Sequence, residues 1–190
     1  MLTSASPHTY RIVPTPIGEL VVTATPDGIA GIEWFDEVDS LNRQHTFPAQ
    51  VEEGNSDRLS GREAQRAATR WVEQMAQELA QYFQGQRQTF SAPLDISTGT
   101  PFQRAVWAAL RDIPYGETRS YGDIARAIGH QRAVRAVGQA NRRNPLAVVV
   151  PCHRVIGANG ALVGYSGPKI HLKAALLELE RGCDGGRPSV

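Results

Sequence analysis

Four breakers, Pro114, Gly129, Pro145 and Pro151, cut the stretch from Thr100 to Val155 into short pieces. Thr100 is a good N-cap, Pro101 suits the first helical position, and Gln103 completes a capping box. These predict a helix that ends at Pro114, with Phe102, Val106 and Leu110 facing inward at spacing four. Ser120, with Asp123 three residues on, starts a second helix to about Ile128, which Gly129 breaks. A third runs over 133–141, because Pro145 forces Asn144 out of the helical region. Helix, short Gly-containing turn and helix make a helix-turn-helix pattern, though any helical hairpin can mimic it. The run 146–150 then reads as a short buried strand, stopped by Pro151, which cannot donate to a ladder.

The first half has a different rhythm. Residues 10–35 alternate β-rich runs with the turn signals Pro16-Ile17-Gly18 and Pro26-Asp27-Gly28, and predict a small antiparallel meander. Residues 36–62 read as a long polar loop. A helix over 63–83 carries Ala64, Ala67, Ala68, Trp71, Val72, Met75, Leu79, Tyr82 and Phe83 on one stripe, which reads as core. Residues 91–100 read as a linker. The expected fold class is α+β. A small N-terminal domain over 1–91, an antiparallel sheet plus a helix, precedes a mostly helical C-terminal domain over 92–190.

Charge separates the same halves. Residues 1–91 hold seven arginines and no lysine against twelve acids, a net −5, whereas 92–190 are +6. Between Arg119 and Arg154 lie seven arginines and one acid, Asp123. A basic half beside an acidic one suggests that one part meets a polyanion; a solvated basic face is the bland alternative. The candidate recognition helix is made mostly of small side chains, and Arg135 is the one long cation well inside it. Such a helix can approach a backbone or narrow groove closely, but it is poorly equipped to read base edges.

At 41% hydrophobic residues the chain can bury a core, and it has no apolar run long enough to span a membrane. The first residues lack a basic segment followed by an apolar one, so no secretory signal is expected. Two cysteines do not make a disulfide framework, and a free thiol suits a reducing cytoplasm.

Cys152 stands at a strand end between Pro151 and His153. Adjacent strand side chains point to opposite faces, so the two can cooperate only if the chain turns there. A histidine beside a cysteine stabilises the thiolate, which is the nucleophile. Asn144 could hydrogen-bond the backbone of this turn and hold it. The alternative is a cysteine used as a small apolar core residue.

The stretch NPLAVVVPCHRVIG resembles the active-site signature of the O6-alkylguanine-DNA alkyltransferases, the methylated-DNA–protein-cysteine methyltransferases. The likeness extends upstream through TPFQRAVWAALRDIPYGETRSYGDIARAIG and RAVGQANRRNP and downstream through GYSG. It covers about 97–181; the first half resembles the family's variable N-terminal domain only in layout.

The resemblance implies direct-reversal DNA repair, in which an alkyl group passes from O6-alkylguanine, and from O4-alkylthymine, to the protein's own cysteine, once per molecule and with no cofactor. Cys152 is then the acceptor and His153 its activating base, acting through a water. Glu180 polarises the histidine, and is preferred to Glu178 for its spacing to Leu176 and Leu177. Asn144 is the hinge between recognition helix and active-site turn, and Tyr121 protonates the leaving base. Arg135 fills the hole left by the extruded nucleotide. Ala133, Ala136 and Gly138 give the helix the small face that enters the minor groove of double-stranded DNA, and Ser120, Tyr121 and Arg142 also lie at the DNA. Val155, Tyr165, Ser166 and Gly167 line the base pocket, and the carbonyls of Cys152 and Val155 meet the guanine amine. A monomer in solution is expected, with cooperative binding along DNA left open.

Two other functions compete: a damage binder that transfers nothing, and a cysteine hydrolase, for which the Cys-Gly-Ser-Cys surroundings of papain-like enzymes are absent. With no cysteine before Cys152, and with His8 and His45 making no site alone, no metal is expected. His130 reads as a surface or phosphate-contacting residue, Cys183 as a bystander, and Trp34, Trp71 and Trp107 as core.

Overall fold

A computed structural model describes residues 9–35, 58–163 and 169–182. Strands β1 (Thr9–Thr15), β2 (Gly18–Thr25) and β3 (Gly28–Trp34) form an antiparallel sheet in that order. The two proline-glycine turns fall between the strands, as the sequence predicts. Helix α1 spans Arg58–Phe83, so it begins inside the expected loop; the rest of that loop, 36–57, lies outside the described residues. The C-terminal part holds α2 (Pro101–Arg111), β4 (Arg119–Ser120), α3 (Tyr121–Ala127) and α4 (Val134–Arg142). A single 3-10 turn at Cys152–Arg154, strand β5 (Val155–Ile156) and α5 (Ile170–Gly182) follow. The architecture is α+β, a small sheet-bearing part followed by a helical one.

The chain forms two compact units. One comprises Met1–Ala80 with Phe90–Asp95; the other comprises Gln81–Thr89 with Ile96–Val190. In the first, the core gathers Leu20, Val22, Ala24, Ile29 and Ile32 from the sheet and Ala68, Val72, Met75 and Leu79 from α1. Each large side chain so buried contributes about 1.5–3 kcal/mol. Trp71, expected in the core, is only half-buried and donates its Nε1–H to the Pro26 carbonyl at 3.0 Å.

The expected linker is not free over its first residues. Leu94 bridges Ile29 in parallel; Ile29 N donates to Pro93 O and Asp95 N to Ile29 O, both at 2.8 Å. Gly28 permits this approach, since a Cβ there would lie 2.6 Å from the Pro93 carbonyl oxygen. The buried Glu78 carboxylate accepts the backbone N–H of Ser91 at 2.9 Å and pins the same segment.

In the second unit both capping boxes form, Thr100 with Gln103 and Ser120 with Asp123. Gly129, at φ +74°, ends α3 in the left-handed conformation that a side chain would resist. Helices α2 and α3 both pack on α4 through Val106, Trp107, Leu110, Ile124, Val137 and Ala140. Trp107 adds a hydrogen bond to Ala140 O at 2.9 Å. Phe102 is only half-buried, edge-on to His130, which is exposed.

Candidate active site

The segment 146–150 is not the strand that its branched residues suggest. Val150 N donates to Leu146 O at 2.9 Å and Val149 N to Ala147 O at 2.8 Å, so the chain is a coiled turn. Val148 takes φ +70°, a left-handed conformation rare for a β-branched residue. The cause is Asn144. Its Nδ2 donates to Val150 O at 2.8 Å and Leu146 O at 3.3 Å, while its Oδ1 accepts from Leu146 N at 3.0 Å. Three side-chain bonds in the turn's middle override β propensity. Asn144→Ala removes them all and is expected to cost about 1–3 kcal/mol in urea denaturation.

This turn delivers Cys152 onto the 3-10 turn with His153 and Arg154, all three buried. Cys152 is 6% exposed and His153 0%. The imidazole Nε2 lies 2.8 Å from Glu180 Oε1, and Glu178 is exposed, so Glu180 is the carboxylate at the histidine. Arg154 grips the same carboxylate twice, Nε to Oε2 at 2.8 Å and Nη2 to Oε1 at 2.9 Å, and its Nη1 reaches Ile113 O at 2.6 Å. Tyr82 Oη donates to Glu180 Oε1 at 2.7 Å, and Gly116 N donates to Oε2 at 3.2 Å.

Burial alone would raise the Glu180 pKa. The hydrogen bonds from His153 and Arg154, the facing imidazole and the Tyr82 hydroxyl outweigh it and hold the acid well below the usual carboxylate range. For His153 burial wins over the carboxylate, and its pKa lies below 6.5. The ring is therefore neutral at pH 7, with its proton on Nε2 facing the ionised Glu180. Nδ1 is left as a lone pair with no hydrogen-bond partner among the described residues. An imidazole in that state can accept a proton.

Tyr121, half-buried at the start of α3, donates to Val163 O at 3.0 Å. Burial first, then the nearby Cys152 charge, push its pKa up to about 12, against a hydrogen bond from Asn141. It is a protonated hydroxyl beside the thiol. Its ring lies against Gly138 of α4, where an added Cβ would sit 4.0 Å from the ring carbons.

Two further residues escaped the sequence reading. Lys173 is fully buried, and its Nζ donates to the carbonyls of Val155 and of Val163, the latter at 2.9 Å. Burial lowers its pKa to about 8, against the pull of the Cys152 charge. A lysine on the apolar face of α5, two turns before Glu180, was the available signal. Asn141, also buried, donates to Cys152 O at 3.4 Å. The two carbonyls expected at the guanine amine thus already accept from Asn141 and Lys173, each with a second lone pair to offer.

The exposed face of α4 carries Arg135, Ala136 and, at its end, Arg142, with Gly138 half-buried. Ala133 is the N-cap of that helix and Ser120 that of α3. Arg142 keeps an ordinary helical backbone, Val148 being the non-glycine residue with positive φ among those described. Tyr165, Ser166 and Gly167 lie outside the described residues, as do His8, His45 and Cys183. Trp34 and Trp107 are buried as expected. Among the described residues no cluster of three or more His, Cys, Asp or Glu could hold a metal ion, and no helix is long and apolar enough to cross a membrane.

Two family models match the chain. The DNA binding domain of 6-O-methylguanine DNA methyltransferase matches residues 101–182, and the ribonuclease-like domain of the same proteins matches 8–96. The constitutive methylated-DNA–protein-cysteine methyltransferase of Bacillus subtilis is 44% identical over 178 residues, 90% of this chain and 94% of that protein. The protein of that name from Methanosarcina acetivorans is 38% identical, over 92% and 99%. A crystal structure of the Mycobacterium tuberculosis O6-methylguanine methyltransferase superposes with a TM-score of 0.71 at 38% identity, covering 97% of each chain. A structure of the M. tuberculosis protein in complex with DNA gives the same score and identity over 92% and 93%.

Proposed function

The chain belongs to the 6-O-methylguanine DNA methyltransferase family, and on that premise we propose a single-use transfer of an alkyl group from an extruded base to Cys152. The protein is a methylated-DNA–protein-cysteine methyltransferase that repairs alkylated DNA. The finer steps are our reading. The observation that carries them is the buried His153–Glu180 pair, Nε2 to Oε1 at 2.8 Å, on the turn that begins with Cys152.

The alkylated oxygen is stacked inside a duplex, so the base must leave the stack. Helices α3 and α4 act as a helix-turn-helix whose small face, Ala133, Ala136 and Gly138, enters the minor groove. Arg135 then takes the vacated space, with Ser120 and Arg142 at the backbone. Once the base is in the pocket, His153 Nδ1 takes the thiol proton through a water, and Glu180 stabilises the imidazolium. The Cys152 sulfur attacks the methyl carbon and the carbon–oxygen bond breaks, leaving its electron pair on the guanine. Tyr121, protonated at neutral pH, donates a proton to the departing base. The Lys173 ammonium faces the thiolate and favours it before attack. The product is a thioether that water does not cleave, so each chain acts once. The same route serves O4-alkylthymine, and one copy of the chain suffices.

The test is stoichiometry. With excess duplex carrying O6-methylguanine, the moles of guanine restored should equal the moles of protein and then stop. Continued turnover would contradict the reading, as would tight binding without transfer. Arg135→Ala should slow transfer from the duplex by about 10–100-fold, the cost of losing a few kcal/mol of support for the extruded base. It should barely change transfer from the same lesion in a short single strand.

A further inference from the structure

We propose that Tyr82 is a positioning residue of the transfer site: its hydroxyl shares the Glu180 oxygen that faces His153 and so sets how strongly that carboxylate supports the imidazolium. The inference rests on the reading of Cys152, His153 and Glu180 given above and adds a fourth member from a distant part of the chain. Tyr82 sits 98 positions before Glu180, in the last turn of α1. It lies within the stretch matched by the ribonuclease-like family model rather than the DNA-binding one.

The geometry makes this more than packing. Glu180 Oε1 accepts from Tyr82 at 2.7 Å, His153 at 2.8 Å and Arg154 at 2.9 Å, and Oε2 accepts from Arg154 at 2.8 Å and Gly116 at 3.2 Å. Five donors meet a group with about four lone-pair sites, so the donors compete for its charge. Tyr82 and His153 share one oxygen, and whatever density the phenol draws is withdrawn from the imidazole. Both Tyr82 and Glu180 are 0% exposed, so water cannot substitute for the phenol. The ring is fixed edge-on to Phe83, with centroids 5.2 Å apart, and to Tyr115 at 6.0 Å. Burial and the Glu180 charge push the phenol pKa far above its ordinary value, so it only donates. An apolar core position would be served by phenylalanine. A hydroxyl there is costly unless it is bonded, and here its partner is the carboxylate behind the base.

The consequence concerns proton affinity. With the phenol removed, Oε1 becomes a stronger acceptor, the imidazolium form of His153 is better stabilised, and His153 stays protonated to higher pH. The experiment is the rate of methyl transfer from O6-methylguanine duplex to Cys152 in the full chain, followed between about pH 5 and about pH 9. In Tyr82→Phe the acid limb should move to higher pH by roughly one unit, so transfer is about tenfold slower on that limb and near wild type above it. Site-specific 3-fluorotyrosine at position 82, a stronger donor of unchanged shape, should move the limb the opposite way and serves if the Phe variant does not fold. A limb that stays in place in either variant overturns the proposal. A wild-type protein that transfers nothing to Cys152, or an acid limb that survives in His153→Gln, overturns instead the reading on which it rests.

Discussion

Cys152→Ser is expected to abolish methyl transfer while leaving the fold and DNA binding intact. Serine is smaller and more polar than cysteine, so at this buried position the swap is expected to cost about 1–3 kcal/mol while the 3-10 turn persists. The chemistry does not persist. A serine hydroxyl has far too little acidity for a neutral imidazole to ionise it, and the Lys173 ammonium then has no thiolate to face. Transfer of labelled methyl falls to background, while a gel-shift titration with alkylated duplex matches wild type. Residual label on the serine variant would mean that another side chain is the acceptor.

Glu180→Gln is expected to have the second-largest effect, on both stability and rate. Arg154 is 6% exposed and spends two donors on this carboxylate. Without a countercharge it is a buried, unpaired cation, which costs about 3–5 kcal/mol. The amide also presents N–H to donors, so His153 loses the acceptor that fixes its proton on Nε2. Removing that support from a general base lowers transfer by about 100-fold.

The pH dependence of stability follows from the same groups. Glu180 is depressed in the fold, so its contribution is present above its ordinary value of 4.5 and is lost as pH falls through the lower folded value. His153 is buried neutral, so the unfolded chain takes up its proton first, and stability begins to fall as pH drops below 6.5. Wild type should therefore weaken in two stages on acidification. Glu180→Gln should lack the second stage, as measured by urea midpoints across the range.

Local chemistry explains which parts of this molecule were legible beforehand. Thr100 with Gln103, Ser120 with Asp123, and Gly129 each decide their own few residues, and the helices start and stop where those residues say. Both strand turns obey the same logic. The resemblance puts Cys152, His153, Glu180 and Asn144 in one site, and the geometry sets His153 against Glu180 and Asn144 on the turn that leads to Cys152. Two causes lie behind the rest, a nearby side chain that overrides β propensity and partners remote in sequence. The branched residues of 146–150 suit a strand, but one asparagine's three hydrogen bonds turn them into a coil and force Val148 into a left-handed backbone. Residues 91–95 looked like linker because nothing local reveals that Gly28 leaves room for Pro93. Tyr82 fitted an apolar stripe, and only the folded chain shows its hydroxyl on Glu180. Lys173 was hidden in the same way on the inner face of α5.

The most direct measurement is mass spectrometry of the full chain after reaction with one equivalent of O6-methylguanine duplex, followed by peptide mapping. The account predicts one added methyl per protein, located on the Cys152 sulfur and stable to prolonged incubation, with the guanine restored in equal amount. An unmodified Cys152 after the lesion has been repaired, or a methyl found on any other residue, would contradict it.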